Sequence, residues 1–284
     1  MKKVLLVIFL LSINAQVFSQ DLLAVLDSET AVNEKENIVT STFKGTRIIN
    51  GHSVENRKAK ELEFIISHRF GRVNLGFDEL FGLDQSNIRF AFEYGISDNL
   101  TAGIGRSSFE KTYDSYLKYS LLKQKRGDNS FPFAVSLFSS VAVKTIKDYD
   151  PADKRTFAES LFYVSQVLIA RKVNESFSFQ FTPTYVHRNT VRIDADPHDI
   201  FALGFGSRIK VSKRVSINGA FDESTSINTR NSLAFGVDIE TGGHVFQIIL
   251  SNAITMIEKS FITETTGNFF GGDIHLGFNI SRTF

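Results

Sequence analysis

Alternation of apolar and polar residues with a period of two, repeated along most of the chain, limits the possible folds more than any other feature. In residues 88–96 a large apolar residue alternates with a charged or small one, and residues 177–182, 201–210 and 233–240 repeat this pattern. Successive side chains of a β-strand point to opposite faces, so each stretch has one apolar face and one polar or small face. The pattern predicts an all-β protein.

The composition of the two faces favours a membrane barrel over a soluble β-sandwich, which also alternates. Phe, with 28 of the 284 residues, dominates the apolar face, while Gly, Ser and charged residues occupy the other. A surface that is apolar toward lipid and polar toward water inside is typical of transmembrane barrels. We therefore predict a transmembrane antiparallel up-and-down β-barrel in the outer membrane of a Gram-negative cell.

The connections between the alternating stretches are short and long in turn, as in bacterial barrels with tight periplasmic turns and longer outer loops. The short ones are 97–99, 172–175, 212–214 and 241–243, and the long ones are 71–86, 147–155, 189–199, 223–230 and 253–272. The stretches between them predict twelve strands: 61–70, 87–96, 100–107, 114–122, 131–144, 157–170, 176–187, 199–210, 214–222, 231–240, 244–252 and 273–284. An even number puts both ends of the barrel on the periplasmic side.

The two ends of the sequence carry targeting features. Residues 1–19 have two lysines followed by a short apolar run, and are predicted to be a secretory signal peptide cleaved after Ser19. The chain ends on Phe284 after an alternating strand, which resembles the signal read by the outer-membrane assembly machinery. The expected partners are therefore outer-membrane lipid, this machinery and a periplasmic partner of unknown identity. A net charge of +1 argues against nucleic-acid binding.

Residues 20–60 precede the predicted barrel of residues 61–284, and we expect them to form a periplasmic or lumenal segment. Within this segment, residues 43–54 could form a strand, but a thirteenth strand would break the even number. The two solutions are a fourteen-stranded barrel and a segment that lies in or under the lumen as a plug. We favour the lumenal segment.

Several sequence segments resemble those of a known family: Phe43–Asn50, Ile66–Gly71, Phe92–Ile96, Gly103–Ser108 and Pro183–Asn189. Together they resemble an uncharacterised outer-membrane β-barrel family of Bacteroidetes-type bacteria, a domain of unknown function. The resemblance runs from about Phe43 to the end of the chain. It implies the barrel and the outer membrane, and it implies no activity, ligand or catalytic residue.

The sequence shows no motif that would carry catalysis or bind a cofactor. Walker, dinucleotide, nucleophile-elbow and zinc-protease motifs do not occur, and the absence of cysteine excludes thiol chemistry and disulfides. His187 and its serine-rich neighbours suggest a lipid hydrolase only weakly. Two acidic loops have spacings at which oxygen ligands can bind calcium, although solvated loops explain them as well; these residues are Asp148, Asp150, Asp153, Asp194, Asp196 and Asp199. We predict no enzyme activity, no cofactor and no metal site.

Charged residues on the inward face are the candidate functional residues. They are Glu63, Arg69, Arg89, Glu93, Lys118, Arg188, Arg208, Lys210, Asp222, Asp238, Glu240 and Asp273. The equal numbers of acidic and basic residues predict weak charge selectivity if the lumen conducts. Pairing of the first two strands would put Arg69 near Arg89 and Glu63 near Glu93, in separate bands that could orient a solute. The alternative is a network of salt bridges that fills the barrel.

Three functions are compatible with these observations. The first is a narrow diffusive channel for small polar solutes. The second is a non-conducting barrel, plugged by residues 21–54, that serves as a scaffold or partner for a periplasmic or surface protein. The third, which we consider the weakest, is a barrel enzyme that acts on lipid. About 8 strands make a filled barrel and about 16–18 leave a channel, so the strand number alone does not decide between the first two.

Overall fold

A computed structural model describes residues 37–127, 130–146, 155–191, 195–227 and 229–284. The predicted signal peptide, the residues 20–36 and the acidic residues Asp148, Asp150, Asp153 and Asp194 lie outside this range. The chain divides into two compact units. Within the described residues, one unit contains 37–39, 124–127 and 130–132, and the other contains 40–123 and the described part of 133–284.

The larger unit is a closed antiparallel barrel of twelve strands. Its strands, labelled β1 to β12 in chain order, are Leu62–Arg72, Ser86–Ser97, Leu100–Ser107, Tyr113–Leu122, Ala134–Val143, Leu161–Lys172, Phe177–Arg188, Asp199–Lys210, Val215–Ser224, Ser232–Thr241, His244–Ser251 and His275–Thr283. Each strand pairs with its neighbours in sequence, and β12 pairs with β1 to close the wall. The predicted number of twelve is confirmed, and the fourteen-stranded alternative is wrong.

The alternation in the sequence corresponds to the two faces of this wall. Phe90 and Phe92 of β2 are 43% and 48% exposed on the outside, whereas Arg89 and Glu93 on the same strand are buried inside. The same division recurs in the other strands, as their burial patterns show. The exposed apolar band is the surface that contacts the membrane hydrocarbon.

The smaller unit contains a short antiparallel pairing within its described residues. Asn37–Ile38 pairs with Lys125–Arg126, and the backbone N–H of Val39 donates to the carbonyl oxygen of Gln124. Lys125 and Phe131 form a further antiparallel bridge.

The connections at the two ends of the barrel differ in length. Two-residue turns, Asp98–Asn99 and Gly242–Gly243, join strands at one end, and this end also receives the chain from residues 40–61. The other end carries the longer loops, including residues 73–85 and 252–274. The loops contain short 3₁₀ turns at Val73–Leu75, Phe77–Gly82, Phe109–Lys111, Ala158–Ser160 and Phe269–Gly271. In the described part of the chain, no helix has the length and apolar character needed to cross a membrane.

Two segments outside the wall are buried inside the barrel. Residues 43–54 lie in the lumen, where Phe43, Ile48, Ile49 and Val54 belong to its apolar core. Residues 253–265 also lie there and include the helix α1, Glu258–Thr263. We predicted residues 253–272 as a solvated outer loop, and the structure differs because its apolar residues are buried against the inner wall. The apolar residues of this segment do not alternate with a period of two, so nothing in the sequence indicated that they would be buried.

Candidate functional site

Two segments fill the lumen, and they are named here the N-terminal plug (residues 40–57) and the loop plug (residues 252–266). The N-terminal plug enters from the end with the short turns, and the loop plug enters from the end with the long loops. Most of their described side chains are buried. The inward-facing side chains of the wall therefore bind these two segments of the same chain.

Polar side chains of the wall bind the backbone of the N-terminal plug. Gln180 of β7 donates from Nε2 to the carbonyl oxygen of His52 at 2.8 Å and accepts from the N–H of Val54 at 2.9 Å. Gln247 of β11 donates to the carbonyl oxygen of Ile48 at 3.1 Å. Such bonds replace water for backbone groups that would otherwise be buried without partners.

Side chains of three further strands donate hydrogen bonds to backbone carbonyl oxygens of the N-terminal plug. Asn279 of β12 donates to the carbonyl oxygen of Ile49 at 2.9 Å. Lys118 of β4 donates to the carbonyl oxygens of Ser53, at 3.1 Å, and of Glu55. Arg208 of β8 donates to the carbonyl oxygens of Ser41 and Thr42, both at 3.1 Å. The N-terminal plug is thus held from several sides of the barrel.

One side of the inner wall is apolar. The inward residues that form it lie mainly on β5 to β8: Phe138, Val164, Leu168, Ala170, Val186 and Ile200. They pack with apolar residues of both plugs, including Phe43, Val54 and Phe261. The sequence led us to expect a polar inner face. An apolar patch on this face is stable because the plugs cover it and exclude water from it.

The predicted inward carboxylates Glu63 and Glu93 lie opposite each other on β1 and β2. The guanidinium groups of the N-terminal plug approach them, with Arg57 Nε 3.5 Å from Glu63 and Arg47 Nε 3.7 Å from Glu93. The hydroxyl of Tyr116 donates to Glu93 at 2.5 Å. Two like charges on neighbouring strands are therefore compensated by the plug.

The predicted basic residues Arg69 and Arg89 do not pair opposite each other, because Arg69 lies opposite Asn87 and Arg89 lies opposite Ser67. Arg69 donates to the side-chain oxygens of Asn50 at 2.8 Å and of Asn279 at 3.1 Å. Arg89 forms a bidentate pair with Asp114, at 3.0 and 2.5 Å.

Asp114 was the first residue of the predicted strand 114–122, but it was not among the inward candidates from the sequence.

The remaining candidate residues are spread along the lumen and at its ends. Arg188 donates to the carbonyl oxygen of Pro197 at 2.6 Å, Asp238 accepts from Gln247 at 2.8 Å, and Glu240 pairs with Lys44. Lys210 and Asp222 are half-buried on inward strand positions.

Asp273 was predicted to be part of the last strand and to face inward, but it lies before β12 begins. It forms a salt bridge with Arg72 at 3.2 Å and accepts a hydrogen bond from Asn74 at 2.9 Å.

The two plugs meet at a cluster of buried charged and aromatic groups. Glu258 Oε1 of the loop plug lies 3.4 Å from Arg47 Nη1 and 3.8 Å from His52 Nε2. His52 is packed between the rings of Tyr116 and Phe138, with centroid distances of 4.6 and 4.3 Å. The two plugs contact each other at this level of the lumen.

Burial determines the protonation of this cluster. Burial, together with the positive charges of Arg47, Lys118 and Arg89, lowers the pKa of His52 well below its ordinary value. Burial raises the pKa of Glu258, against the opposing effect of Arg47. Both shifts favour the neutral forms, as expected for groups removed from water.

Lys259, fully buried on α1, fixes the loop plug to an outer loop. It donates to Glu110 at 3.1 Å and pairs with Glu264 at 2.6 Å, and its ammonium lies 4.1 Å from the ring centroid of Phe162. Burial of Glu110 is outweighed by Lys259 and Lys144, so the pKa of Glu110 is lowered. None of the residues of the loop plug was a candidate from the sequence.

The weaker candidates for chemistry lie elsewhere. His187 Nδ1 is 2.7 Å from Asp199, which also accepts from the hydroxyl of Tyr185 at 2.6 Å. Within the described residues, no group of three potential ligands is arranged for a metal ion. That the protein is not an enzyme stays a prediction.

A closed twelve-stranded barrel with an apolar exterior defines a class, the transmembrane β-barrels of the Gram-negative outer membrane. The family model of the membrane-bound beta barrel domain (DUF5777) matches residues 43–284. The chain therefore belongs to this family. No curated protein matches the sequence.

Solved structures with a similar arrangement are distant. The KdgM porin has a TM-score of 0.47 at 6% identity, covering 79% of this chain and 99% of its own. Omp33, an outer membrane protein of Acinetobacter baumannii, has a TM-score of 0.42 at 8% identity, covering 79% of this chain and 98% of its own. At such low identities and TM-scores, the similarity supports no statement about the function of this chain.

Proposed function

We propose that this protein is an outer-membrane barrel that does not conduct in its resting state and that acts through its loops, as a scaffold or receptor for partners on either side of the membrane. The observation that carries this proposal is the contact between the two plugs inside the lumen. Arg47 and His52 of one plug lie against Glu258 of the other. A diffusing solute would have to displace both.

The inner wall supports the same conclusion. If the N-terminal plug left the barrel, inward apolar residues such as Phe138, Leu168 and Ile200 would face water. Burying a side chain of this kind contributes about 1.5–3 kcal/mol, so opening would be unfavourable by several such contributions. The plugs therefore form part of the folded core.

A gated channel for small polar solutes is a second candidate, and the asymmetry of the lumen favours it. The side formed by β1 to β4 carries the charged residues Glu63, Arg69, Arg89, Glu93 and Lys118, which the plugs bury. A displacement of the loop plug would break its contact with Arg47 and His52, and it would also uncover the apolar residues against which Phe261 packs. The loop plug would then be the gate.

Single-channel recording in planar bilayers separates these functions. The mature protein is refolded, and heat-shifted gel mobility verifies the closed barrel. It is then compared with a variant that lacks residues 20–57, a variant in which residues 253–266 are replaced by a short Gly-Ser linker, and a control shortened within the exposed loop residues 77–81. We expect the wild type and the control to be silent.

Discrete conductance steps from the folded wild-type protein would contradict the proposal. Steps that appear only when residues 253–266 are replaced would support the gated channel. Silence of both plug variants, with the barrel still closed, would support the scaffold.

A further inference from the structure

A cavity of about 480 Å³ lies at the end of the barrel that carries the long loops, between the loop plug and the start of β12. Leu75, Phe109 and Ile254 give it apolar walls, and Thr255 and Glu264 give it polar ones. Its volume lies in the range of about 300–1,000 Å³ that is typical of pockets for small ligands. The end with the long loops faces the outside of the cell in bacterial barrels, so the cavity is open to external solutes.

Two of the lining residues have unused hydrogen-bonding capacity. Thr255 Oγ1 and Glu264 Oε2 are buried and have no hydrogen-bond partner among the described residues. Thr255 is 4% exposed and the side chain of Glu264 is 9% exposed. A buried polar atom without a partner is destabilising, and native proteins retain few of them, so a ligand that satisfies these two atoms would be bound favourably.

The charges around the cavity are already paired. Glu264 Oε1 lies 2.6 Å from Lys259, and Arg72 lies 3.2 Å from Asp273. A charged ligand would have to break one of these pairs or remain uncompensated. The remaining capacity therefore suits a neutral molecule that carries hydroxyl groups.

We propose that this cavity is a binding site for a neutral carbohydrate the size of a mono- or disaccharide. Its hydroxyl groups donate to Glu264 and exchange hydrogen bonds with Thr255, while its C–H faces pack on Phe109, Leu75 and Ile254. The site lies outside the contact between the plugs, so the proposal holds whether or not the barrel conducts.

Ligand-observed saturation-transfer NMR on the mature protein in nanodiscs tests the proposal. The neutral probes are glucose, galactose, mannose, N-acetylglucosamine and maltose, and the charged probes are glucosamine and glucuronate. We expect at least one neutral probe to bind and both charged probes to bind at least tenfold more weakly.

Two substitutions and a control connect binding to the cavity. Thr255→Val should weaken binding about five- to tenfold through the loss of one hydrogen bond. Thr266→Trp, at an exposed position of the cavity lining, should abolish binding by filling the mouth. Thr263→Val is the matched control, because its hydroxyl donates to the carbonyl oxygen of Lys259 and does not line the cavity.

The proposal would be overturned if no neutral probe bound to the folded wild-type protein, if the charged probes bound more tightly, or if binding survived Thr266→Trp unchanged.

Discussion

At the scale of single residues, several inward charges of this barrel, among them Arg89 and Lys118, are compensated by partners that the sequence does not reveal. The alternation along β2 and β4 identifies Arg89 and Lys118 as inward-facing. It does not show that Arg89 binds Asp114 or that Lys118 binds backbone carbonyl oxygens of the N-terminal plug. These partners are distant in sequence, and only the closed wall brings them together.

The pair of Arg89 and Asp114 allows a test of this compensation. The side chains are 2% and 6% exposed. Asp114→Asn would leave a buried guanidinium without a countercharge, and we expect a loss of about 3–5 kcal/mol in the free energy of unfolding. Urea denaturation followed by circular dichroism measures it. Glu175→Gln, at a side chain that is 72% exposed and pairs with Lys172, is the control and should change the free energy by at most about 1 kcal/mol.

His52 gives a prediction for pH dependence. Its pKa is lower in the folded protein than in the unfolded chain, whose ordinary value is about 6.5, so the unfolded state takes up a proton first as the pH falls. The stability that neutral His52 contributes is present above about pH 6.5 and is lost progressively as the pH falls below it.

The comparison variant for this test is His52→Phe, which keeps a ring between Tyr116 and Phe138. The raised pKa of Glu258 acts in the opposite sense, so the difference between wild type and variant is the quantity to measure. Thermal unfolding at pH 7.5 and 5.5, followed by gel mobility, should show a larger drop for the wild type. Equal drops would show that His52 does not titrate in this range.

At the scale of secondary-structure elements, the strands could be predicted and the plugs only in part. Residues 199–210 and 100–107 were predicted with the bounds that β8 and β3 have, because period-two alternation and turn residues define both ends. The loop plug was not predicted, since a helix as short as α1 leaves no periodic signal. Its apolar residues can be recognised as core residues only once the inner wall that buries them is known.

Phe261 on α1 tests whether the loop plug is part of the core. It is 1% exposed and belongs to the same apolar cluster as Phe43 and Ile49. Phe261→Ala should lower the free energy of unfolding by about 3–5 kcal/mol, the cost of a cavity left by a buried Phe. The control is Phe270→Ala, at a side chain that is 90% exposed in the same loop, with an expected change within about 0.5 kcal/mol. Similar effects of the two substitutions would place α1 outside the core.

At the scale of the whole barrel unit, twelve strands enclose more space than their own side chains fill. Two other segments of the same chain fill the remaining space. Barrels of about 8 strands are filled by their side chains, and those of about 16–18 hold a channel. Here residues 40–57 and 252–266 occupy the space that the wall side chains leave, and the wall and the plugs form one packed core. The sequence allowed either a channel or a plugged barrel, because strand alternation describes the wall and not what lies inside it.

The most direct test of this account is a disulfide between the N-terminal plug and the wall. A side chain built at Gly206 of β8 would place its Cβ 3.5 Å from Cγ2 and 2.5 Å from Cδ1 of Ile48. Ile48→Cys removes the clashing Cδ1 and leaves a sulfur near the γ position, within reach of Gly206→Cys. The chain has no cysteine of its own, so the engineered pair is the only thiol pair present.

Oxidation of this double variant in intact outer membranes, read by the mobility of the unfolded protein on a gel, is the measurement to make. The account predicts rapid and nearly complete cross-linking, whereas a control pair of Ile48→Cys and Gly219→Cys, which faces the lipid side, stays reduced. Full maleimide labelling of both engineered cysteines without a cross-link would show that the N-terminal plug does not occupy the lumen, and would contradict the account.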